Sequence, residues 1–465
     1  MDWMRRASGP ARHIDAATAA QPVKSGDHVV SAMASPQMTP FAFHRALAAR
    51  AGELRDVTID TSWSGAAATL LQPGTETSWA TSSVFAYTAA EYSALAAHSE
   101  QVNYAPMNPS FMGWFANRPE RDEFTRRYTG ADVFVVTVTP PSGAGFVTFG
   151  TNLWNARVQM RNARIVIGEV RDDLPVIPGG DNWMPATAFD YFVSGESPAE
   201  QAFFAPTPEE EIDASAVCCA YTAELIHNGD TVMFGGGSIP IRLAPFLEDK
   251  EDLGCHSEVI FPVDLARKGV ITNRKRNLVP GKTSLTGFIP RSGEECDWID
   301  GNPTIDLRDM YVNNHPRYIA QNDNLVAVNA PLEVTLWGEI GCERVGPRYF
   351  RGVGGQVEFV TGALLSKGGR SIHGVISRKR LATGELVSTI VSEFTPPGAA
   401  SISRQFADMV VTEYGVARLL GKTERERAQE LIAIAHPDFR PELREAARKS
   451  VGLGTRTFLP GTTGA

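Results

Sequence analysis

Glu258 lies in "LGCHSEVIF" (Leu253 to Phe261), directly before the apolar run Val259, Ile260 and Phe261. The stretch reads as a buried strand. A carboxylate is costly to bury unless it is paired or used in chemistry. Upstream, a short β-rich run from Thr231 to Phe234 enters "GGGS", Gly235 to Ser238. A helix is predicted from about Ile239, with Pro240 in its first turn. Glycines there let a ligand approach the backbone, and a helix start offers unpaired N–H groups to an anion. The simpler reading, a tight turn beside an ion-paired glutamate, is favoured on this local sequence alone. A second cluster, "RGVGGQVEFVTGALLSKGG" (Arg351 to Gly369), changes the balance. Gly352, Gly354 and Gly355 precede a predicted helix from Gln356 to about Leu365, so they could present backbone N–H groups to an oxyanion. One such loop is a weak signal. Two loops with a carboxylate strand between them in sequence are a stronger one.

Other chemistries find little support. The sequence has no HExxH, CxxC or GxSxG. "PGKTS" resembles part of a phosphate-binding loop, but Arg276 stands where its first glycine is required. The nine histidines show no metal-ligand spacing, and no metal is expected. His256 could steer Glu258 from two residues away, although an isolated histidine is more often structural. Cys218, Cys219, Cys255, Cys296 and Cys342 are few and odd in number. Cys218 and Cys219 are adjacent, which suits neither a disulfide nor a tetrahedral metal site. Reduced thiols in a cytoplasmic protein are the plain expectation.

The elements that must position these residues are βαβ units. "KSGDHVVSAMASP" (Lys24 to Pro36) and "HNGDTVMFGGGSIP" (His227 to Pro240) share a Gly-Asp turn, a β-rich run, a small-residue loop and a Pro. Each continues into a helical segment and then a second strand, "RDVTID" and "GCHSEVIF". A repeated βαβ unit implies a parallel sheet, whose C-terminal strand ends line the ligand crevice. A loose alignment sets Ile59 opposite Glu258, so only the second half carries the carboxylate. Further strands are expected at "ADVFVVTVT", "ARIVIGEV", "NLVAVN", "LEVTLWGEI" and "SIHGVIS". A helix with a Thr423/Glu426 capping box is expected before Pro437. The fold class is α/β in two tandem domains: 1–200, a linker at 201–213 within "SGESPAEQAFFAPTPEEEID", and 214–465.

Composition sets the bounds. The 465 residues are 43% hydrophobic and 21% charged, as in an ordinary globular protein with a large core. A net charge of -9 implies no nucleic-acid partner, and "NRKRN" (Asn273 to Asn277) is too short a basic cluster to argue for one. No stretch approaches the ~18 apolar residues of a membrane helix. The N-terminal residues read as a loose lead-in, with no secretory signal, and the tail "GTTGA" as frayed.

Taken together, "DLGCHSEV", "KGVITNRKRNLVPGK", "IAQNDNLVAVNAPLEVTLWGEIG", "RGVGGQVEFVTGALLSKGG" and "VVTEYGVARLLGKTERERAQELIAIAHPDFR" make the second half resemble the acetyl-CoA hydrolase/transferase family. That group includes 4-hydroxybutyrate, butyrate and succinate CoA-transferases. The first half matches more loosely through "KSGDHVV", "DVFVVTVTPPSGAGFVTFG" and "IVIGEV". The resemblance implies two CoA-transferase-type α/β domains with mainly parallel sheets and a homodimer. It also implies that Glu258 is the nucleophile of a His-Thr/Ser-Glu motif. Gly235, Gly236, Gly237 and Ser238 would contact coenzyme A, as would Gly352, Gly354, Gly355 and Gln356, with Gly354 and Gly355 helping to form an oxyanion hole. The implied activity is transfer of CoA from an acyl-CoA to a carboxylic acid, with no metal or redox cofactor. An acyl-CoA hydrolase on the same site is the alternative. A non-catalytic CoA-binding protein is disfavoured by retention of Glu258 and both loops, and a sugar-phosphate isomerase by the duplicated arrangement. The sequence departs from relatives at Phe261-Pro262, where they carry a Ser-Asp-Gly turn, and at Glu358, where Asp is frequent. It also departs in the first half at Asn103 to Phe124, where Phe111, Trp114 and Phe115 hint at a bulkier acyl group or at ordinary packing.

Overall fold

The computed structural model describes residues 11–31, 38–61, 69–83, 100–106, 108, 110, 131–197, 208–381 and 383–450. The chain forms two units. The first comprises Met1–Ala205, Lys282–His315 and Arg351–Gly355, and the second Pro206–Gly281, Pro316–Phe350 and Gln356–Ala465. This division is not a single cut in the chain. Segments 282–315 and 351–355 group with the first unit. Phe111, Trp114, Phe115, the N-terminal ten residues, the tail and linker residues 201–207 lie outside the described residues.

The first unit is built on an eight-stranded sheet. Its strands are β1 (Arg12–His13), β2 (His28–Val30), β3 (Val57–Asp60), β4 (Trp79–Ser83), β5 (Val102–Tyr104), β6 (Val133–Val138), β7 (Ile165–Val170) and β8 (Tyr191–Ser194). They lie in the order β1-β8-β7-β6-β2-β3-β4-β5, and every neighbouring pair is parallel. Strand β6, "VFVVTV", is buried at all six positions. A parallel strand covered on both faces reads as such a continuous apolar, β-branched run. Helices α1 (Ala16–Ala20) and α2 (Phe41–Ala48) pack Ala19, Ala20, Phe43 and Leu47 into the core around Val29, Val133 and Ile167.

The second unit carries a six-stranded sheet. Its strands are β9 (Thr231–Phe234), β10 (Gly254–Cys255), β11 (Leu325–Asn329), β12 (Arg370–Gly374), β13 (Met409–Thr412) and β14 (Gly415–Arg418), in the order β10-β9-β11-β12-β13-β14. All pairs are parallel except β13 with β14. Its helices include α3 (Ile212–Glu224), α4 (Ser238–Arg242), α5 (Gln356–Leu365), α6 (Glu424–Ile434) and α7 (Arg440–Ser450). The end of the expected linker is already helical. Glu209–Glu211 form a 3-10 turn leading into α3, where acidic side chains favour the start of a helix. Helix α6 has the full Thr423/Glu426 capping box. Among the described residues no helix is long and apolar enough to cross a membrane.

The internal repeat persists down to single contacts. Gly26 and Gly229 adopt φ +79° and +82°, a region that glycine enters without a Cβ penalty. Asp27 accepts from the Lys24 N–H at 2.8 Å and pairs with Arg164 at 2.6 Å. Asp230 likewise accepts from the His227 N–H at 2.6 Å and pairs with Arg370. Asp56 and Asp252, each just before the second strand, both have φ +56°.

Register corrects the loose alignment. His28 stands opposite Thr58, as Thr231 stands opposite Gly254. Ile59 therefore matches Cys255, and Glu258 matches Ser62, which lies outside the described residues. The asymmetry holds, because Ser62 is no carboxylate. A second asymmetry runs the other way. Glu169, five residues after Arg164, accepts from the Ala42 and Phe43 N–H groups at the start of α2 at 3.2 and 3.0 Å. By strand register Ile165 matches Arg370, so Glu169 matches Gly374, which has no side chain to reach the helix start. The helix start of the first unit is thus filled by its own carboxylate, and its counterpart in the second is not.

Candidate active site

Strand β10 stops at Cys255, three residues short of the glutamate. Its continuation toward β9 is made by a side chain. The Ser257 hydroxyl accepts from the Phe234 N–H at 3.3 Å and donates to the Phe234 carbonyl at 2.9 Å. These are the groups at the end of β9 that another ladder residue would otherwise meet. With the hydroxyl in that place the backbone bends at Glu258 and turns back, and Ile260 bridges Phe234 in the antiparallel sense. The expected strand Leu253–Phe261 is therefore a two-residue strand followed by a bend. Glu258 is half-buried, while His256 and Ser257 have no exposed surface and Val259 and Phe261 are buried.

Phe234 leads directly into Gly235. The Ser257–Phe234 contacts thereby tie the glutamate's bend to the first residue of the glycine loop. Gly235 donates to the Val328 carbonyl at 2.9 Å. A Cβ there would lie 2.8 Å from that oxygen and 2.9 Å from Asn329 Oδ1, whereas a Cβ on Gly236 would meet nothing within 4 Å. Gly237 has φ +145°, and Ser238 opens α4. That helix has five residues rather than the longer run the sequence suggests. The macrodipole of so short a helix is small, so any ligand contact of this loop rests on its backbone N–H groups and on the space left by Gly236.

The second glycine cluster divides between the units. Gly352, Gly354 and Gly355 belong to the first, and Gln356 opens α5 in the second. The helix spans the expected Gln356–Leu365, and Gly354 has φ +56°. Within the second unit, then, the structure gathers Glu258, Gly235, Gly236, Gly237 and Ser238 at the C-terminal ends of β10 and β9. Gln356 stands at the same edge by topology, since a helix returning to the parallel strand β12 starts where the preceding strand ended.

Burial excludes the nearby thiol as nucleophile. Desolvation pushes Cys255 up to about 12, with the Arg276 guanidinium opposing weakly. Burial also raises Cys219 to about 12 and Cys218 well above the ordinary thiol range. These groups stay protonated at neutral pH, and the thiol is a poor nucleophile beside its thiolate. His373, fully buried on β12, is lowered by desolvation to about 4 and is neutral. Among the described residues no three His, Cys, Asp or Glu side chains gather as a metal site.

The acetyl-CoA hydrolase/transferase N-terminal domain model matches residues 4–199, and the C-terminal domain model of the same family matches 293–447. The chain belongs to the acetyl-CoA hydrolase/transferase family. It is 36% identical to a 4-hydroxybutyrate coenzyme A transferase of Clostridium kluyveri, over 70% of this chain and 74% of that one. It is 32% identical to a succinyl-CoA:cyclohexane-1-carboxylate CoA transferase of Geobacter metallireducens, over 93% and 94%. The crystal structure of RipA from Yersinia pestis superposes with a TM-score of 0.83 at 30% identity, covering 97% of this chain and 99% of that one. The resemblance read from the motifs and the α/β fold class are both borne out. Glu258 and the Gly235 loop fall between the two domain models, in the stretch 200–292.

Two features of this family member escape sequence reasoning. Asn329 Nδ2, at the end of β11, and Gln356 Nε2, at the start of α5, are buried donors with no hydrogen-bond partner among the described residues. Leaving a buried donor unpaired costs about 1–3 kcal/mol, a cost tolerated where a bound group supplies the acceptor. "NLVAVN" and "GGQ" place both residues at element ends, but only coordinates show that nothing bonds them. The Phe261-Pro262 departure is also explained locally. Phe261 is buried, and Pro262 caps a short helix, Val263–Arg267, in place of a polar turn.

Proposed function

We propose that this protein is a CoA-transferase that moves CoA from an acyl-CoA to a second carboxylic acid through covalent intermediates on Glu258. The observation that supports this most is the bend held by Ser257 against Phe234, which sets a half-buried carboxylate beside a glycine loop at the C-terminal edge of a parallel sheet. A carboxylate oxygen attacks the thioester carbonyl, and CoA leaves as the thiolate, giving an acyl-glutamyl anhydride. The thiolate then attacks the glutamyl carbonyl, releasing the first acid and leaving a glutamyl-CoA thioester. The acceptor carboxylate attacks that thioester and expels the thiolate, which takes the new acyl group and frees Glu258. Apolar neighbours such as Val259 and Phe261 limit hydration of the carboxylate and keep water from the anhydride. Gly235 to Ser238 and the Gly352 to Gln356 loop are assigned to CoA, with Gly354 and Gly355 as oxyanion donors. The unpartnered amides of Asn329 and Gln356 join them as candidate donors to the developing charge.

The test is trapping. Incubation with acyl-CoA followed by borohydride or hydroxylamine should modify the peptide bearing Glu258, as read by mass spectrometry. Glu258→Gln should fold normally and lose transfer, and an unchanged rate in that variant refutes the assignment. The family's hydrolase members supply the second reading, in which water replaces the acceptor acid. Release of CoA at full rate without any added carboxylic acid would favour it.

A further inference from the structure

Behind the bend lies a buried polar chain that the reaction scheme leaves unused. Arg276, 3% exposed, donates from Nη1 to the Cys255 carbonyl at 3.0 Å and from Nε to Asn322 Oδ1 at 3.3 Å. Asn322 Nδ2 stands 2.9 Å from Nδ1 of His256. The order of these contacts fixes the protons. A guanidinium has donors only, so the asparagine must turn its carbonyl oxygen toward Arg276. Its amide N–H then faces His256, and Nδ1 of the imidazole must accept. The ring proton therefore sits on Nε2, and a second proton at Nδ1 would set two donors face to face. The ring is also fixed in plane, because Tyr318 and Phe359 meet it edge-on at 5.9 and 5.7 Å, with interplanar angles of 80° and 89°. The Arg276 stem also packs closely against β10. A Cβ on Gly254 would lie 2.5 Å from Arg276 Cγ.

We propose that Arg276 and Asn322 are positioning residues that lock His256 in its Nε2–H tautomer and so hold the turn that presents Glu258. Arg276 sets the amide, the amide sets the tautomer, and the ring, gripped between two aromatic edges, anchors the chain one residue before Ser257. Its catalytic consequence rests on the reading of Glu258 as nucleophile; the tautomer itself does not.

The two parts are tested separately. The full chain is labelled with 15N-histidine, and the His256 signals are identified by their loss in His256→Gln. Long-range 15N–1H spectra should show a pyridine-type Nδ1 and a protonated Nε2 in the wild type. Finding the proton on Nδ1 there overturns the lock, and this measurement needs no folded variant. Asn322→Asp is nearly isosteric and keeps an acceptor for Arg276, but it replaces the amide donor with a second acceptor. It should move a proton to Nδ1. Single-turnover acylation of Glu258, followed by mass spectrometry, should slow by about 10²-fold, the effect expected of a small misplacement, with KM for acyl-CoA unchanged. A moved proton with unchanged acylation refutes the positioning role. Absence of any acyl label on wild-type Glu258 instead defeats the nucleophile assignment and leaves the tautomer result standing.

Discussion

Ser257 is the residue on which the bend depends, and removing its hydroxyl has a calculable cost. The oxygen makes two hydrogen bonds, from the Phe234 N–H at 3.3 Å and to the Phe234 carbonyl at 2.9 Å, and both residues are buried. Ser257→Ala deletes both at once. Each bond contributes about 0.5–1.5 kcal/mol net, and the stranded N–H adds desolvation cost, so a loss of about 2–3 kcal/mol follows. For a unit of this size that is a fall in Tm of roughly 4–12 °C. Ser257→Thr retains the oxygen and should keep most of the stability, whereas Ser257→Val fills the same volume without it and should behave like Ala. Thermal melts of the full chain measure the first effect. Burst acylation of Glu258 measures the second, which should fall about 10²-fold in Ala and Val if the bend moves the carboxylate by about 1 Å. The Thr control separates the hydroxyl from mere shape. The reasoning fails if Ala and Val melt with the wild type, or if Val acylates as fast as Thr. In either case the Ser257–Phe234 contacts do not hold the bend.

Two further outcomes follow from single positions. Gly236→Ala meets nothing within 4 Å and should leave Tm unchanged, so a raised KM for acyl-CoA in this variant would report ligand contact with the loop. Gly235→Ala drives a Cβ to 2.8 Å from the Val328 carbonyl and should cost about 1–3 kcal/mol by overpacking, measured as a lower Tm. Glu169 is pushed up to about 7 from 4.5, chiefly by burial, against the opposing Phe43 and Ala42 N–H groups. A folded-state value above the unfolded one means that the native state binds the extra proton. Its contribution is therefore complete below pH 4.5 and lost as pH rises through about 7, an effect of roughly 3 kcal/mol. Stability measured between pH 4.5 and 7 should fall less steeply with pH in Glu169→Gln than in the wild type, and identical slopes would count against a buried, proton-binding Glu169.

The architecture was legible because it rests on short-range chemistry written into the chain. Gly26 and Gly229 predict their turns, "VFVVTV" its doubly covered strand, and Thr423 with Glu426 their helix start. Glu258 was legible as an oddity, since a carboxylate before an apolar run conflicts with strand periodicity. Its setting was not. A strand is expected to continue through "HSEVIF", but the Ser257 hydroxyl substitutes for the ladder and stops it at Cys255. A side chain replacing a backbone partner leaves no periodic trace. The same holds for Asn329 and Gln356, whose significance lies in bonds they do not make, and for Lys282–His315, which groups with the first unit through contacts distant in sequence. The duplication then explains why only one half carries the glutamate. Both units share the Gly-Asp turn, the Asp–Arg pair and the positive-φ aspartate, so the frame is duplicated faithfully. What differs is the strand edge. The first unit closes its helix start with its own Glu169, and the second sets Gly374 there, leaves the buried amides of Asn329 and Gln356 without acceptors and adds Glu258. At that edge the first unit meets two backbone donors of its helix start with its own side chain. The second leaves the Asn329 and Gln356 amides open, and in a duplicated frame that difference supports the second unit as the one that carries the proposed chemistry.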